Sequence, residues 1–243
     1  MEIFTTLFYQ PILNLLVWLF NAIPGTDLGW AIIALTIIIK AILWPLSAKS
    51  FKSQKALQEL QPKVNELKEK HKDNKEVMNK EMMNLYRQQR VSPFSSCLPL
   101  LIQLPFLIAI YRVLISGLND KTYGLLYAFI PRPETVSTNF LGILSLENPA
   151  IILAVIAGIL QFFQSRMLTR SKQPDVSGSK DEGMTSMVNK QMMYLMPIIT
   201  VFIGATLPGG LTLYWTMNTL ISLAQQALIF RSHPNATKQQ PTP

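Results

Sequence analysis

The stretch LGWAIIALTIIIKAILWPL, Leu28–Leu46, decides the class of fold. It is apolar throughout except at Thr36 and Lys40, and about 20 such residues are what an α-helix needs to cross the hydrocarbon of a bilayer. Four further runs share its character, at about Leu98–Ser116, Pro149–Leu168, Met192–Leu207 and Leu211–Phe230. Five spans follow, and the chain reads as an all-α polytopic membrane protein. Composition agrees: 15% of residues are charged and 49% hydrophobic, whereas an average soluble domain carries about 25% charged residues to cover its exterior. A sixth apolar run, Pro11–Phe20, is cut short by Asn21 and Pro24, and no Lys or Arg precedes it as a signal peptide would require. Residues 1–24 therefore read as an interfacial amphipathic helix, with an uncleaved extra span as the other option.

The chain carries 22 Lys and Arg against 14 Asp and Glu, a net charge of +8, and their placement explains the excess. Eleven of the 22 stand between the first and second spans: Lys49, Lys52, Lys55, Lys63, Lys68, Lys70, Lys72, Lys75, Lys80, Arg87 and Arg90. Only Lys121 and Arg132 lie between the second and third. Arg166, Arg170, Lys172, Lys180 and Lys190 follow the third, the turn Pro208-Gly209-Gly210 has none, and the tail has Arg231 and Lys238. Positive-inside bias then puts the N-terminus outside and the C-terminus in the cytoplasm, a solution consistent with five spans. The basic balance is a topology signal, and neither DNA nor RNA is needed to explain it.

This layout gives a core over 25–230, with a cytoplasmic helical hairpin at 47–92, an external loop at 117–148, a cytoplasmic loop at 169–190 and a short polar tail at 231–243. In the hairpin, Leu57, Leu60, Val64 and Leu67 recur at helical spacing, and Met78, Met82 and Leu85 do so after the polar break at 71–75. Two amphipathic helices are expected there, with a restart at Pro62, since proline suits the first turn of a helix and not its interior. The outer face mixes Lys with Glu59, Glu66, Glu69, Glu76 and Glu81. It is either a solvated charged face or a docking surface for a cytosolic partner or anionic lipid.

Lys40 is the charge that composition does not explain. It lies six residues from the cytoplasmic end of its span, and an ammonium costs on the order of 3 kcal/mol at a span centre. Either it snorkels to the headgroups or it faces a wet, protein-lined cavity. Thr36 and Ser47 share its helix face. Gln103 stands in the second span, Gln161, Gln164 and Ser165 on one face of the third, and Thr212, Trp215, Thr216, Thr219, Ser222 and Gln226 on one face of the fifth. Singly such residues are helix–helix glue; together they suggest one polar groove open to the cytoplasm. No Asp, Glu or His accompanies Lys40 within the spans, which argues against a proton relay. A lone Cys97 and two histidines, His71 and His233, in polar stretches leave no metal or cofactor site, and no nucleophile with an acid–base partner suggests an enzyme.

At these residues the sequence resembles the YidC-type membrane protein insertases, a family that includes the mitochondrial and chloroplast oxidase-assembly insertases. The resemblance is carried by Ile39-Lys40-Ala41-Ile42-Leu43-Trp44-Pro45-Leu46, by Leu60-Gln61-Pro62-Lys63, and by Glu81-Met82-Met83-Asn84-Leu85-Tyr86. It continues in Ser92-Pro93-Phe94-Ser95-Ser96-Cys97-Leu98-Pro99-Leu100-Leu101-Ile102-Gln103-Leu104-Pro105, in Met196-Pro197-Ile198, in Pro208-Gly209-Gly210-Leu211-Thr212-Leu213-Tyr214-Trp215 and in Gln225-Gln226. It implies a minimal five-span core in the bacterial cytoplasmic membrane, and a hydrated groove that carries one positive charge at the position of Lys40. That position is commonly Arg, and Lys keeps the charge while losing the planar fork that grips a carboxylate. The implied substrate-binding residues are Lys40, Thr36, Gln103, Gln161, Gln164, Trp215, Thr216 and Thr219. The implied partners are nascent membrane proteins and membrane lipids, the ribosome or targeting factors through the hairpin, and the general secretion translocon. The rival is a small transporter or channel subunit, which calls for inverted repeats and a coupling carboxylate that the sequence does not offer.

Overall fold

The computed structural model describes residues 2–23, 27–92, 98–169 and 191–232. The expected loop 169–190 and tail 231–243 fall outside these residues, apart from Thr169, Arg231 and Ser232. The chain forms two compact units, one of Met1–Trp44, Leu100–Gln161 and Pro197–Ser222, the other of Pro45–Pro99, Phe162–Met196 and Leu223–Pro243.

The first unit opens with helix α1, Glu2–Ala22, which contains one wide π-type turn at Thr5–Tyr9. Its apolar length is greater than the Pro11–Phe20 run suggests: at 21 residues α1 is long and apolar enough to cross a membrane. Leu13, Leu16 and Val17 are fully buried, and Asn14 is buried among them. The Asn14 carboxamide is satisfied by distant backbone, donating to the carbonyl of Leu125 (3.0 Å) and accepting from the N–H of Tyr127 (2.7 Å). Gln10 also donates to Leu125 O (3.1 Å), and Asn21 to Pro131 O (2.8 Å).

Helix α2, Leu28–Lys70, starts at Asp27 for a local reason: Oδ1 of Asp27 accepts from the first free N–H groups, those of Gly29 (2.9 Å) and Trp30 (3.3 Å). Its other oxygen accepts from Leu141 N (2.8 Å), which fastens the helix start to a small hairpin of β1, Asn139–Phe140, and β2, Leu144–Ser145. The expected restart at Pro62 does not occur. The helix runs unbroken through both Pro45 and Pro62, and both prolines lie on exposed faces, where their rings meet no packed neighbour.

Helix α4, Leu98–Ser116, adds Ile110 and Val113 to a core shared with Ile32 and Leu35 of α2 and with Tyr214. The single turn α5, Asp120–Tyr123, is closed by a capping box on Asn119. The fourth apolar run forms a π-type turn, Gln191–Leu195, and then α7, Met196–Gly204. Small residues bring α7 against α6, Ile151–Thr169: Gly158 meets Val201, and a Cβ on Gly204 would lie 3.0 Å from that of Ala154. Helix α8, Gly209–Ser232, is joined to both, since Thr212 Oγ1 donates to Gly204 O (3.0 Å) and Thr216 Oγ1 to Leu153 O (3.3 Å). The turn before it is pinned by Gly209 N to Asn148 O and Gly210 N to Leu146 O, each 2.9 Å.

The second unit contains the later part of α2 and helix α3, Lys75–Gln88, separated by four residues, with Asn74 capping α3 by accepting from Val77 N (3.1 Å). The helical spacing read from the sequence is reflected in burial: Leu60 and Val64 are buried, and Met78, Met82 and Leu85 are half-buried. Ends of α6 and α8 join this unit through Gln58 Nε2 to Met167 O (3.3 Å) and Lys55 Nζ to Phe230 O (2.8 Å).

Candidate functional site

Helical spacing places Thr36 and Lys40 one turn apart on α2, and both are buried, Thr36 completely. Thr36 turns its hydroxyl back onto Ile32 O (2.7 Å). The Lys40 side chain does not extend to the surface, as snorkelling requires; only 9% of the residue is exposed, and Nζ donates to Ser222 Oγ of α8 at 2.7 Å. Ser222 in turn donates to Asn218 O (2.7 Å). Among the described residues no carboxylate pairs with the ammonium; the Lys55–Glu59 ion pair, at 4.0 Å, lies in the other unit. A whole positive charge thus sits inside the protein, held by a neutral hydroxyl.

On α4, Gln103 is half-buried and donates through Nε2 to the hydroxyl of Tyr214, a fully buried residue of α8. Thr216 and Thr219 are buried and bond to carbonyls of their own helix, Thr212 O (2.8 Å) and Trp215 O (2.9 Å). Trp215 and Gln161 are half-buried. Seven of the eight expected residues, Lys40, Thr36, Gln103, Gln161, Trp215, Thr216 and Thr219, belong to the first compact unit. Gln164 belongs to the second, so the shared face with Gln161 is divided between the two units. Thr36, Thr216 and Thr219 spend their hydroxyls on backbone and contribute shape more than free polar groups. Sequence reasoning passed over Tyr214 and Asn218. Tyr214 was hidden inside an apolar run, and Asn218 becomes legible only through its spacing of four from Ser222.

In the second unit the same helix buries Gln226 completely, and among the described residues neither oxygen nor nitrogen of its carboxamide has a hydrogen-bond partner. An unsatisfied buried polar group costs about 1–3 kcal/mol. Gln226→Leu, which keeps the volume and removes both polar atoms, should raise stability by about that amount, seen as a higher thermal midpoint in detergent. A lower midpoint would mean that the carboxamide is paired in the working protein.

The sequence profile of a family described as 60Kd inner membrane protein matches residues 18–237. The chain belongs to the 60Kd inner membrane protein family. Relatives include the membrane protein insertases YidC of Francisella tularensis subsp. novicida and of Francisella tularensis subsp. mediasiatica, each 35% identical over 229 residues, 93% of this chain and 37% of the relative. A crystal structure of active YidC insertase with its first transmembrane domain resolved matches with a TM-score of 0.59 and 26% identity, covering 91% of this chain and 45% of that one. The chain therefore spans just over a third of the length of these curated relatives. As a member of the 60Kd inner membrane protein family, it is a mostly helical, multi-pass protein of the bacterial inner membrane.

Proposed function

We propose that the protein is a membrane protein insertase and folding chaperone, which moves short polar flanks of nascent membrane proteins through a hydrated groove while their apolar segments pass into lipid. The observation that carries this reading is Lys40: a buried ammonium with no carboxylate beside it among the described residues, anchored by one hydroxyl and able to receive an anion. The groove is lined by Lys40, Thr36, Gln103, Gln161, Trp215, Thr216 and Thr219, and it opens to the cytoplasm. The five spans are the first part of α2, then α4, α6, α7 and α8, with the N-terminus outside and the C-terminus inside, as the Lys and Arg distribution favours. The later part of α2 and α3 form the cytoplasmic hairpin, which receives substrate, the ribosome or targeting factors. Residues 117–148 form the outer loop.

In this arrangement α1 lies along the outer interface. Its polar anchors Gln10, Asn14 and Asn21 extend over about 16 Å of helix at 1.5 Å per residue, and all three bond to the backbone of the segment 125–131. A helix that crossed the bilayer would meet an outer loop only at one end.

No bond is made or broken in this work, so the energetics are those of solvation. Exposed Ile152, Val155, Ile156 and Ile159 on α6 and Leu220 on α8 give a nascent segment an apolar surface to slide along. Its burial in lipid, about 25 cal/mol per Å² of apolar area, drives completion, while water in the groove and the charge of Lys40 lower the cost of moving the flank. A photo-reactive residue at Ile152 or Leu220 should crosslink to stalled nascent membrane proteins, whereas one at Ile143 in the outer loop should not. A cysteine at Gln103 should react with a polar thiol reagent added from the cytoplasmic side only. Reaction from both sides would instead mark a channel, and absence of crosslinks at both helices would remove the sliding surface.

A further inference from the structure

We propose that Ser222 is a positioning residue that holds the Lys40 ammonium in place while leaving its charge undiminished. This rests on the reading of Lys40 as the charge that meets an acidic flank. The chain of donors runs one way. Ser222 has a single hydroxyl proton, and the 2.7 Å bond to Asn218 O commits it to the carbonyl one turn back on α8. The lone pairs of Oγ are then left to accept, and only a donor fits them. Lys40 Nζ supplies it, at 2.7 Å, between two residues that are 9% and 6% exposed.

A hydroxyl at this point does what a carboxylate could not. An Asp or Glu would hold the ammonium more tightly, but it would cancel the charge and compete with any anionic guest. Serine takes one of the three N–H donors of the ammonium and leaves two for a carboxylate. Lysine needs such a hold, since its charge rides on a flexible four-carbon stem with no planar fork to fix its direction. Without Ser222 the stem is free to carry the ammonium toward the headgroups. The distance in sequence, 182 residues, makes this a tertiary device that joins α2 to α8 and not a local turn.

The test uses the full-length chain in lipid vesicles, with Ser222→Ala, Ser222→Thr, Lys40→Arg and the double variant Lys40→Arg/Ser222→Ala. Two quantities are read: the rate of amidination of Lys40 by a membrane-permeant imidate, followed by mass spectrometry of its peptide, and the insertion rates of matched substrates with acidic or neutral flanks. Ser222→Ala should speed Lys40 labelling and slow insertion of the acidic-flank substrate by roughly tenfold, with the neutral-flank substrate unaffected. Ser222→Thr, which keeps the acceptor, should restore both. In the Lys40→Arg background the Ser222→Ala change should matter less, because a guanidinium offers five donors. Unchanged labelling with Ser222→Ala overturns the proposal, whether or not insertion falls, since any loss would then come from helix packing. Faster labelling with unchanged acidic-flank insertion supports the positioning role and overturns the reading of Lys40 as the substrate-facing charge.

Discussion

Lys40→Ala and Lys40→Glu are expected to lower the insertion of small, acidic-tailed one- and two-span substrates into reconstituted vesicles by roughly ten- to a hundredfold. The size follows from what is lost: a charge-assisted hydrogen bond is worth about 1.5–3 kcal/mol, and each 1.4 kcal/mol is about a factor of ten. Lys40→Glu is expected to be the more severe, because it replaces attraction of an acidic flank by repulsion. Lys40→Arg should retain most activity. Substrates whose flanks carry no acid are the internal control, and their rates should change little. Both variants should stay folded, because among the described residues the ammonium makes one hydrogen bond to a neutral hydroxyl and no ion pair. Unaltered insertion of acidic-tailed substrates by Lys40→Glu would remove the electrostatic role altogether.

Gly209→Val is expected to destabilise the protein by about 3–5 kcal/mol, combining overpacking of about 1–3 kcal/mol with loss of two backbone hydrogen bonds at about 1 kcal/mol each. A Cβ at this position would run into the backbone carbonyl of Ser145 and lie 3.0 Å from that of Asn148. Backbone atoms cannot rotate out of the way, so the turn would have to lift off the 145–150 segment and surrender the bonds from Gly209 N and Gly210 N. Gly210→Ala makes the contrast. Its Cβ would meet the tips of Ile32 and Leu114 at 3.2 and 3.3 Å, and side-chain tips can shift. Loss of monodisperse protein and a fall in the thermal midpoint for Gly209→Val, with a small change for Gly210→Ala, is the expected pattern. Equal effects at the two positions would refute the steric argument.

Those parts of the structure that depend on one stretch of chain were legible in its residues. The apolar run from Leu28 announces a helix that hydrocarbon can hold, and the spacing of Leu60, Val64, Met78, Met82 and Leu85 announces faces that are buried or half-buried in the structure. Lys40 was legible as an anomaly because a charge in an apolar run is expensive wherever it points. What resisted reading were partnerships across the chain. Ser222 resembles any serine facing a neighbouring helix until Lys40 is found against it. Asn14 looks like a flaw in an apolar helix, because beyond the carbonyl of Gln10 one turn back its partners are backbone atoms of Leu125 and Tyr127, which carry no side-chain signature. Pro62 misled in the opposite sense: a local rule predicts a helix start, but an exposed position lets the helix continue. Gln161 and Gln164 share a face by spacing alone, and spacing cannot tell that a unit boundary runs between them.

The bond between Lys40 and Ser222 also sets a timetable for the protein's own manufacture. Ribosomes add roughly 5–20 residues per second, so Ser222 is made roughly 10–40 s after Lys40, from which it is separated by 182 residues. Throughout that interval the ammonium of a half-made chain has neither its hydroxyl partner nor the helix that will enclose it. The first helix waits as well: the amide nitrogen of Asn14 finds Gln10 O at once, but its oxygen must wait 113 further residues for the amide of Tyr127. Until α8 emerges, the growing chain is itself a membrane protein whose apolar segments carry polar groups without their final partners, and it needs shelter for them from its surroundings.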